Sequence, residues 1–447
     1  MIVPSSRLLF WVAAVTLPAA LLVAAEPGAG AIAVVLAGGL AAAAIADAWI
    51  ARNVLAGVGI ELPAVARMSK DRPATLDVRI RNDVPSGRRI RALRVALGWP
   101  AQVSPSIEEL DLLLAPENGW SRLSWACSPA QRGKYPIDSA FVEGRSPLGL
   151  WSARKRLPVQ SEIRVYPNLL TERKQLASLF LNRGLFGVHA RRQVGRGRDF
   201  EKLREYTPGD GYDEIHWKAT ARRAKPITKV FQIERTQEIY VVVDASRLSA
   251  RKTGEDDKQT PILERLVTSA LVLGLAAERQ GDLFGLLSFT DKVESFVRAK
   301  NGKAHYGACR DALYTLQARS VTPDFDEVCT FIRLRLRRRA LIIFLTSLDD
   351  PALAESFVRN VDLIRRKHLV LVDMIRQPRT APLFSGGNAS TTDDLYLELG
   401  GHLRWHKLRQ LEKTLKRLGV GFSQIENERL SVEMVSQYLN VKQRQLL

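Results

Sequence analysis

The chain has 447 residues, 46% of them hydrophobic and 25% charged. This is ordinary for a globular protein with a sizeable core and two or three domains. The formal net charge of +19 is not ordinary, and it points to an anionic neighbour, either nucleic acid or a phospholipid surface. Cys127, Cys309 and Cys329 are widely spaced with no CxxC pair, which excludes a disulfide framework and reads as free thiols in a reducing compartment.

In chain order, Leu8 to Ala25 is nearly all apolar, and Ala29 to Ile50 is apolar apart from Asp47. Each run is about 20 residues, enough to span a hydrocarbon core of about 30 Å. The link Glu26-Pro27-Gly28 is short and turn-forming, so residues 1–55 are expected to form an antiparallel transmembrane hairpin. Trp11 and Trp49 would then lie at one membrane face as interfacial aromatics. Arg7, Arg52, Arg67 and Lys70 fall on that same face, and the positive-inside rule places the rest of the chain in the cytoplasm. The competing reading is a cleaved signal peptide ending at Val23-Ala24-Ala25; the second apolar span, following at once, argues for the hairpin.

Over residues 60–167 the periodicity changes to two. Leu76, Val78 and Ile80 alternate with Asp77, Arg79 and Arg81, and Leu93–Leu97 and Leu123–Cys127 repeat the pattern. Turn signals at Asn82-Asp83, Pro85-Ser86-Gly87 and Asn118-Gly119 separate the runs. Short alternating strands at this spacing predict a small β-sandwich, with Arg132-Gly133 and Ser146-Pro147-Leu148-Gly149 as tight turns.

Residues 168–236 are a charged linking segment. A helix is expected over Asp199 to Tyr206, then a turn at Thr207-Pro208-Gly209-Asp210. A short helix carrying Ile215, Trp217 and Ala221 follows, then a strand through Ile227, Lys229, Phe231 and Ile233. From 237 onward, strands and helices alternate. Ile239–Val243 is an unbroken apolar run suited to a parallel strand buried on both faces, ending in Asp244-Ala245-Ser246. The remaining strands are expected at Asp282–Phe289, Ala340–Leu345, Leu369–Met374 and Val420–Ile425. The helices lie between them, the penultimate one from Leu403 to Leu418, preceded by a polar loop from Thr380 to Asp394. Such alternation gives a mostly parallel, doubly wound α/β sheet, with ligands expected at the carboxyl ends of its strands.

Arg204-Glu205-Tyr206-Thr207-Pro208-Gly209-Asp210, Ile215-His216-Trp217-Lys218-Ala219 and Ala221-Arg222 closely resemble the bacterial family called domain of unknown function 58. Arg132-Gly133-Lys134-Tyr135 and Ser146-Pro147-Leu148-Gly149-Leu150-Trp151 extend the resemblance upstream. It implies a von Willebrand factor A-like domain over 237–447 on a membrane anchor, working with a MoxR-type AAA+ ATPase. That fold commonly carries a metal-ion-dependent adhesion site of Asp-x-Ser-x-Ser, a Thr and a further Asp, suited to Mg²⁺. Here Asp244, Ser246 and Thr322 match. Leu248 stands in place of the second Ser and Ser347 in place of the acid, with Asp349 and Asp350 close behind. The site is therefore degenerate, and the alternative is that Asp244 and Ser246 bond the loop backbone.

The charged motif (Arg204, Asp210, Trp217, Lys218, Arg222) reads either as a docking face or as a structural clasp with Trp217 as a buried anchor. The basic run Arg333, Arg335, Arg337, Arg338 and Arg339 reads as a solvated helix end or as a patch resting on an anionic leaflet. His402 and His406 read as surface histidines. GxxxxGK[ST], HExxH and GxSxG do not occur, and no nucleic-acid-binding signature accompanies the basic residues. The expected function is therefore binding, not catalysis: a membrane-tethered adaptor for protein assembly or maturation. The alternative is a protein that binds an anionic ligand or nucleic acid through its basic surface.

Overall fold

A computed structural model describes residues 1–26, 28, 30–83, 92–114, 119–182, 194–208, 211–232, 237–253, 260–378, 380–383, 385 and 391–444. Asp210 and Ile233, and the turn signals at Pro85-Ser86-Gly87 and Asn118, lie outside these residues. The chain divides into two compact units, Met1–Asn168 and Leu169–Leu447.

The first unit begins with β1 (Ile2–Pro4), α1 (Ser6–Ala25) and α2 (Gly30–Ala51). Ser5 caps α1, its side chain accepting from the Leu8 N–H. Both helices are long and apolar enough to cross a membrane, and only 11% of each apolar window is buried. Leu9, Phe10, Trp11, Leu17, Val34, Val35 and Trp49 are exposed, as expected of a surface that faces lipid and not water.

Nine further strands follow among the described residues of this unit: β2 (Val58–Glu61), β3 (Val65–Ser69), β4 (Ala74–Asn82), β5 (Ala92–Leu97), β6 (Val103–Pro105), β7 (Glu109–Leu113), β8 (Gly119–Pro129), β9 (Gly133–Arg145) and β10 (Trp151–Tyr166). One sheet runs β1-β10-β9-β5-β7 with β3 also on β10, and the other runs β2-β4-β8-β6. Leu76, Val78 and Ile80 of β4, Trp125 of β8, Leu93 and Val95 of β5, and Ile137 and Val142 of β9 form one core between the two sheets. This is the expected sandwich.

The Ser146–Leu150 turn does more than reverse the chain. It closes as expected, with the Gly149 N–H donating to the Ser146 carbonyl at 3.0 Å and Gly149 at φ +74°, a conformation that only glycine adopts freely. The same turn seats the fully buried Asp47 of α2, which accepts from Ser146 Oγ (2.5 Å), the Leu148 N–H (3.1 Å) and the Leu150 N–H (3.2 Å). Trp151 Nε1 donates to the Ala44 carbonyl at 2.8 Å, and Ser5 Oγ donates to the Gly149 carbonyl at 2.6 Å. A turn that read as purely local is thus the seat of the helical hairpin.

The second unit opens with α3 (Leu170–Asn182), β11 (Val194–Glu205), α4 (Trp217–Arg223) and β12 (Ile227–Gln232). The helix expected over 199–206 is instead part of β11, which pairs antiparallel with β12 through Phe200↔Phe231, Leu203↔Lys229 and Glu205↔Ile227. The spacing of Glu201 and Arg204 suits i,i+3 pairing, worth only tenths of a kcal/mol, and cross-strand hydrogen bonding prevails. His216 caps α4, its Nδ1 accepting from the Ala219 N–H at 3.0 Å, and Ala224 ends the helix in the left-handed region.

The remaining elements are β13 (Glu238–Asp244), β14 (Lys252–Thr253), β15 (Thr260–Pro261), α5 (Ile262–Arg279), β16 (Leu283–Phe289), β17 (Val293–Lys300), α6 (Lys303–Leu313), α7 (Phe325–Arg335), β18 (Leu341–Leu345), α8 (Pro351–Arg365), β19 (Leu369–Ile375), α9 (Thr392–Arg417), β20 (Gly421–Ile425) and α10 (Leu430–Gln443). The main sheet runs β17-β16-β13-β18-β19-β20. All its pairings are parallel except that of the edge strand β17. This is the doubly wound sheet expected of a von Willebrand A-like domain, with β13 at the switch point between β16 and β18. β13 and β18 are buried on both faces, one face packing on α5 and α10 and the other on α7 and α8. α9 begins eleven residues earlier than expected, because Thr391 and Asp394 form a capping box.

Candidate functional site

The switch point places Asp244 at the carboxyl end of β13, where the chain turns sharply. The Ala245 N–H donates to the Phe289 carbonyl (2.8 Å), and the Arg247 N–H donates to the Val321 carbonyl (3.0 Å). The second of these bonds, with the Arg319 N–H donating to the Ala245 carbonyl (2.8 Å), lays the 319–324 loop along residues 245–247. Thr322 therefore follows directly on a residue bonded to this turn, with its own side chain exposed. Asp244 and Ser246 are fully buried.

Asp244 is already supplied with donors. Its Oδ1 accepts from the Ser246 N–H at 2.8 Å, and its Oδ2 accepts from Thr346 Oγ1 at 2.5 Å. Burial raises its pKa above the ordinary carboxylate value, against the opposing effect of those hydrogen bonds. Ser246 Oγ accepts from the Leu248 N–H at 3.3 Å. Leu248, where the second Ser would stand, is 1% exposed and packs into the core with Phe325 and Phe344.

The recess bounded by Asp244, Leu248, Ser249, Thr346, Ser347 and Gln377 has a volume of about 10 Å³, at the lower limit for a single water. Octahedral Mg²⁺ keeps several waters of its own and demands ionised oxygen ligands. These residues do not fit that ion: the one carboxylate is buried and already bonded on both oxygens. Among the described residues there is no group of three His, Cys, Asp or Glu side chains placed to hold a metal.

The loop after β18 carries a different arrangement. Asp349 Oδ1 accepts from Ser347 Oγ at 2.6 Å, and Oδ2 from Arg251 Nη1 at 2.5 Å. Burial pushes the Asp349 carboxyl up, but these two donors outweigh it and hold the group below its usual range. Arg247 Nη2 lies 3.8 Å from Asp350 Oδ2, and Asp350 caps α8 by accepting from the Ala352 N–H. Two arginines from the β13 side thus brace two aspartates from the β18 side across the sheet edge. Asp349 and Asp350 were visible in the sequence as acids near the expected ligand position. Thr346, Arg247 and Arg251 were not singled out, since nothing in local spacing shows which loops the sheet brings together.

Of the charged motif, Arg204 is half-buried and donates to Thr207 Oγ1. Lys218 and Arg222 are exposed. Trp217 is 69% exposed, so the buried anchor expected there is corrected: none of the residues of α4 is buried, and the residue that is buried beside it is Ile215 (7% exposed), bridged to Thr228 of β12. His402 Nδ1 accepts from the Leu383 N–H at 3.1 Å and its ring stacks on Trp405, while His406 is exposed. In the basic run, Arg335 lies over the Phe331 ring and Arg338 is 3.8 Å from Glu238.

Residues 202–398 match the family model described as Protein of unknown function DUF58. The resemblance read from the motif is borne out over that DUF58 segment. Proteins described as uncharacterized in Mycobacterium tuberculosis and Mycobacterium bovis are each 25% identical over 211 residues, 47% of this chain. The chain spans 64% of the length of these curated relatives. Among solved structures, the SpRpn10 VWA domain is similar at 11% identity, covering 45% of this chain and 95% of that one, with a TM-score of 0.29. A conserved hypothetical protein, BatB, from Bacteroides thetaiotaomicron is similar at 16% identity over 46% and 97% of the two chains, also at 0.29. An aerotolerance-related membrane protein from Bacteroides fragilis is similar at 10% identity over 46% and 98%, at 0.26.

Proposed function

We propose that the chain is a membrane-anchored, cytoplasm-facing adaptor whose DUF58 segment docks a MoxR-type AAA+ ATPase during assembly or maturation of other proteins. The observation that carries this reading is the braced sheet edge. Arg251–Asp349 and Arg247–Asp350 hold the loops after β13 and β18 in place, where open α/β sheets bind their ligands. An edge fixed by the protein's own ion pairs is preorganised for contact, which lowers the ordering cost of binding. Thr322 extends this face, with Asp244 and Ser246 shaping it from below. Trp217, Lys218 and Arg222 on α4 offer a second exposed patch, of which the tryptophan and the arginine are residue types common at interface centres. Arg7 and Arg52, at the open end of the α1–α2 hairpin, support two spans with both ends on the cytoplasmic side.

The test is affinity purification of the tagged full chain in detergent, with and without ATP, comparing wild type with the Arg247→Ala/Arg251→Ala pair. These residues are partly exposed, whereas replacing the buried Asp244 would report on stability. Nucleotide-dependent recovery of an AAA+ ATPase, reduced about tenfold in the variant, supports the reading; loss of contacts worth about 1.4 kcal/mol gives that factor. Salt-sensitive recovery of nucleic acid with no ATPase would instead favour the basic surface.

A further inference from the structure

The amino edge of the main sheet, opposite the candidate site, gathers basic side chains from several connections. Arg279, Arg337, Lys416 and Arg417 come just before β16, β18 and β20, and Lys300 and Lys303 lie where β17 meets α6. All six are exposed, and among the described residues none of their side chains forms a salt bridge. Arg338, Arg366 and Lys367 join them, each already with a partner: Glu238 at 3.8 Å, Asp362 at 3.2 Å and the Leu336 carbonyl at 3.0 Å. Acids there are fewer. Asp282 is buried and bonded to Lys442, and Glu278 is half-buried. The carboxyl edge is mixed instead: its exposed Arg247 and Arg319 pair with Asp350 and Glu294, and Asp291, Asp324 and Asp326 stand exposed beside them.

Helix ends alone do not explain this gathering. Cations suit the last turn of a helix, which accounts for Arg279, Lys416 and Arg417. It does not account for Arg337, beyond the end of α7, or for Lys303, the first residue of α6, where the dipole opposes a cation. At about 4.8 Å between strands, the edge from β17 to β20 is about 24 Å wide, more than one small anion can meet. Leu334, on the last turn of α7 between Arg333 and Arg335, is 72% exposed. An apolar side chain set among basic ones matches the boundary between phosphate headgroups and acyl chains. Single-stranded nucleic acid is held instead by exposed aromatic rings on which bases stack. Among the described residues this edge exposes none, and the half-buried Phe331 lies beneath Arg335. We propose that the amino edge of the main sheet rests on an anionic phospholipid surface, with Leu334 entering the headgroup layer. The contact rests on the membrane-anchored reading, since the α1–α2 spans keep a bilayer close to the chain, and it leaves the carboxyl edge turned toward the cytoplasm.

Fluorescence quenching in the full chain tests this. The chain is reconstituted into nanodiscs of phosphatidylcholine, alone or mixed with phosphatidylglycerol, each carrying a lipid spin-labelled at its headgroup. A fluorophore is attached through Asn301→Cys, exposed at the amino edge, or through Ser320→Cys, exposed at the carboxyl edge. The three native cysteines are buried and desolvation raises their thiol pKa values to about 11 or 12, so labelling goes to the added thiol. Position 301 should be quenched in anionic discs. That quenching should be lost in neutral discs and in about 1 M salt, where the Debye length is about 3 Å. It should also be lost in an Arg279→Glu/Lys303→Glu/Arg337→Glu variant with an unchanged melting midpoint, because these side chains have no ion pair to lose. Position 320 should stay unquenched in both disc types. Equal quenching of position 301 in both, no quenching in either, or quenching of position 320 in its place would overturn the edge contact while the anchor stands. Failure of the chain to co-elute with neutral discs would overturn the anchor, and the proposal with it. A response of position 301 to an added oligonucleotide but not to anionic discs would overturn the lipid contact and assign the edge to nucleic acid.

Discussion

Asp373 on β19 is buried at 0% exposure, with one oxygen accepting from Gln437 Nε2 at 3.0 Å and the other without a hydrogen-bond partner. Burial is the main reason that its pKa rises to about 7, with Glu433 adding to the rise and the Gln437 bond opposing it. In the unfolded chain the group ionises near 4. Between about pH 4 and pH 7 the folded state therefore binds the extra proton, and stability falls as pH rises through that window, levelling off above the folded pKa. At about 1.4 kcal/mol per tenfold change in proton affinity, the full effect is on the order of 4 kcal/mol. Asp373→Asn should remove this dependence: the gain in stability of the variant over wild type, measured by denaturant melts, should grow from pH 4 to pH 7 and then stay level. A gain that is constant across pH would contradict the assignment. Asp244 leads to a second expectation at this scale. With both oxygens bonded and little room beside it, millimolar Mg²⁺ should leave the melting midpoint unchanged; a rise that Asp244→Asn abolishes would show that the ion binds.

Elements built on hydrophobic runs were legible in the sequence. Ile239–Val243 reads as a two-sided buried strand because every side chain is apolar, and the Leu76/Val78/Ile80 alternation reads as one face of a sandwich. The misread elements are those decided by distant partners or by a cap. β11 is charged at a spacing that fits a helix, but β12 supplies the pairing that makes it a strand. The start of α9 lay inside a polar loop until the Thr391–Asp394 capping box set it. At the candidate site, Asp244 and Ser246 could be named from Asp-x-Ser, but the Thr346 hydroxyl on Asp244 comes from 102 residues along the chain, and Arg251 meets Asp349 98 residues on. Asp47 is the clearest such case, a lone acid in an apolar helix whose three donors all come from the 146–150 turn. Asp47→Ala should leave Ser146 Oγ and the Leu148 and Leu150 N–H groups without their acceptor. The cost should be about 3 kcal/mol, seen as a lower melting midpoint of the full chain in detergent; an unchanged midpoint would show that the turn does not depend on this seat.

At the scale of the whole molecule, an apolar hairpin and a braced sheet edge are parts of one chain, and the account assigns membrane attachment to the first and partner docking to the second. The high positive charge suits an anionic membrane surface, and the exposed apolar residues of α1 and α2 suit its interior. The most direct measurement is photo-cross-linking in native membranes, with a photoreactive amino acid placed at Arg247 on the sheet edge and, as a control, at Lys300 at the far end of the edge strand β17. The account predicts an ATP-dependent cross-link from position 247 to an AAA+ ATPase, with none from position 300. A cross-link from neither position, or equal cross-linking from both, would contradict docking at the carboxyl edge of the sheet.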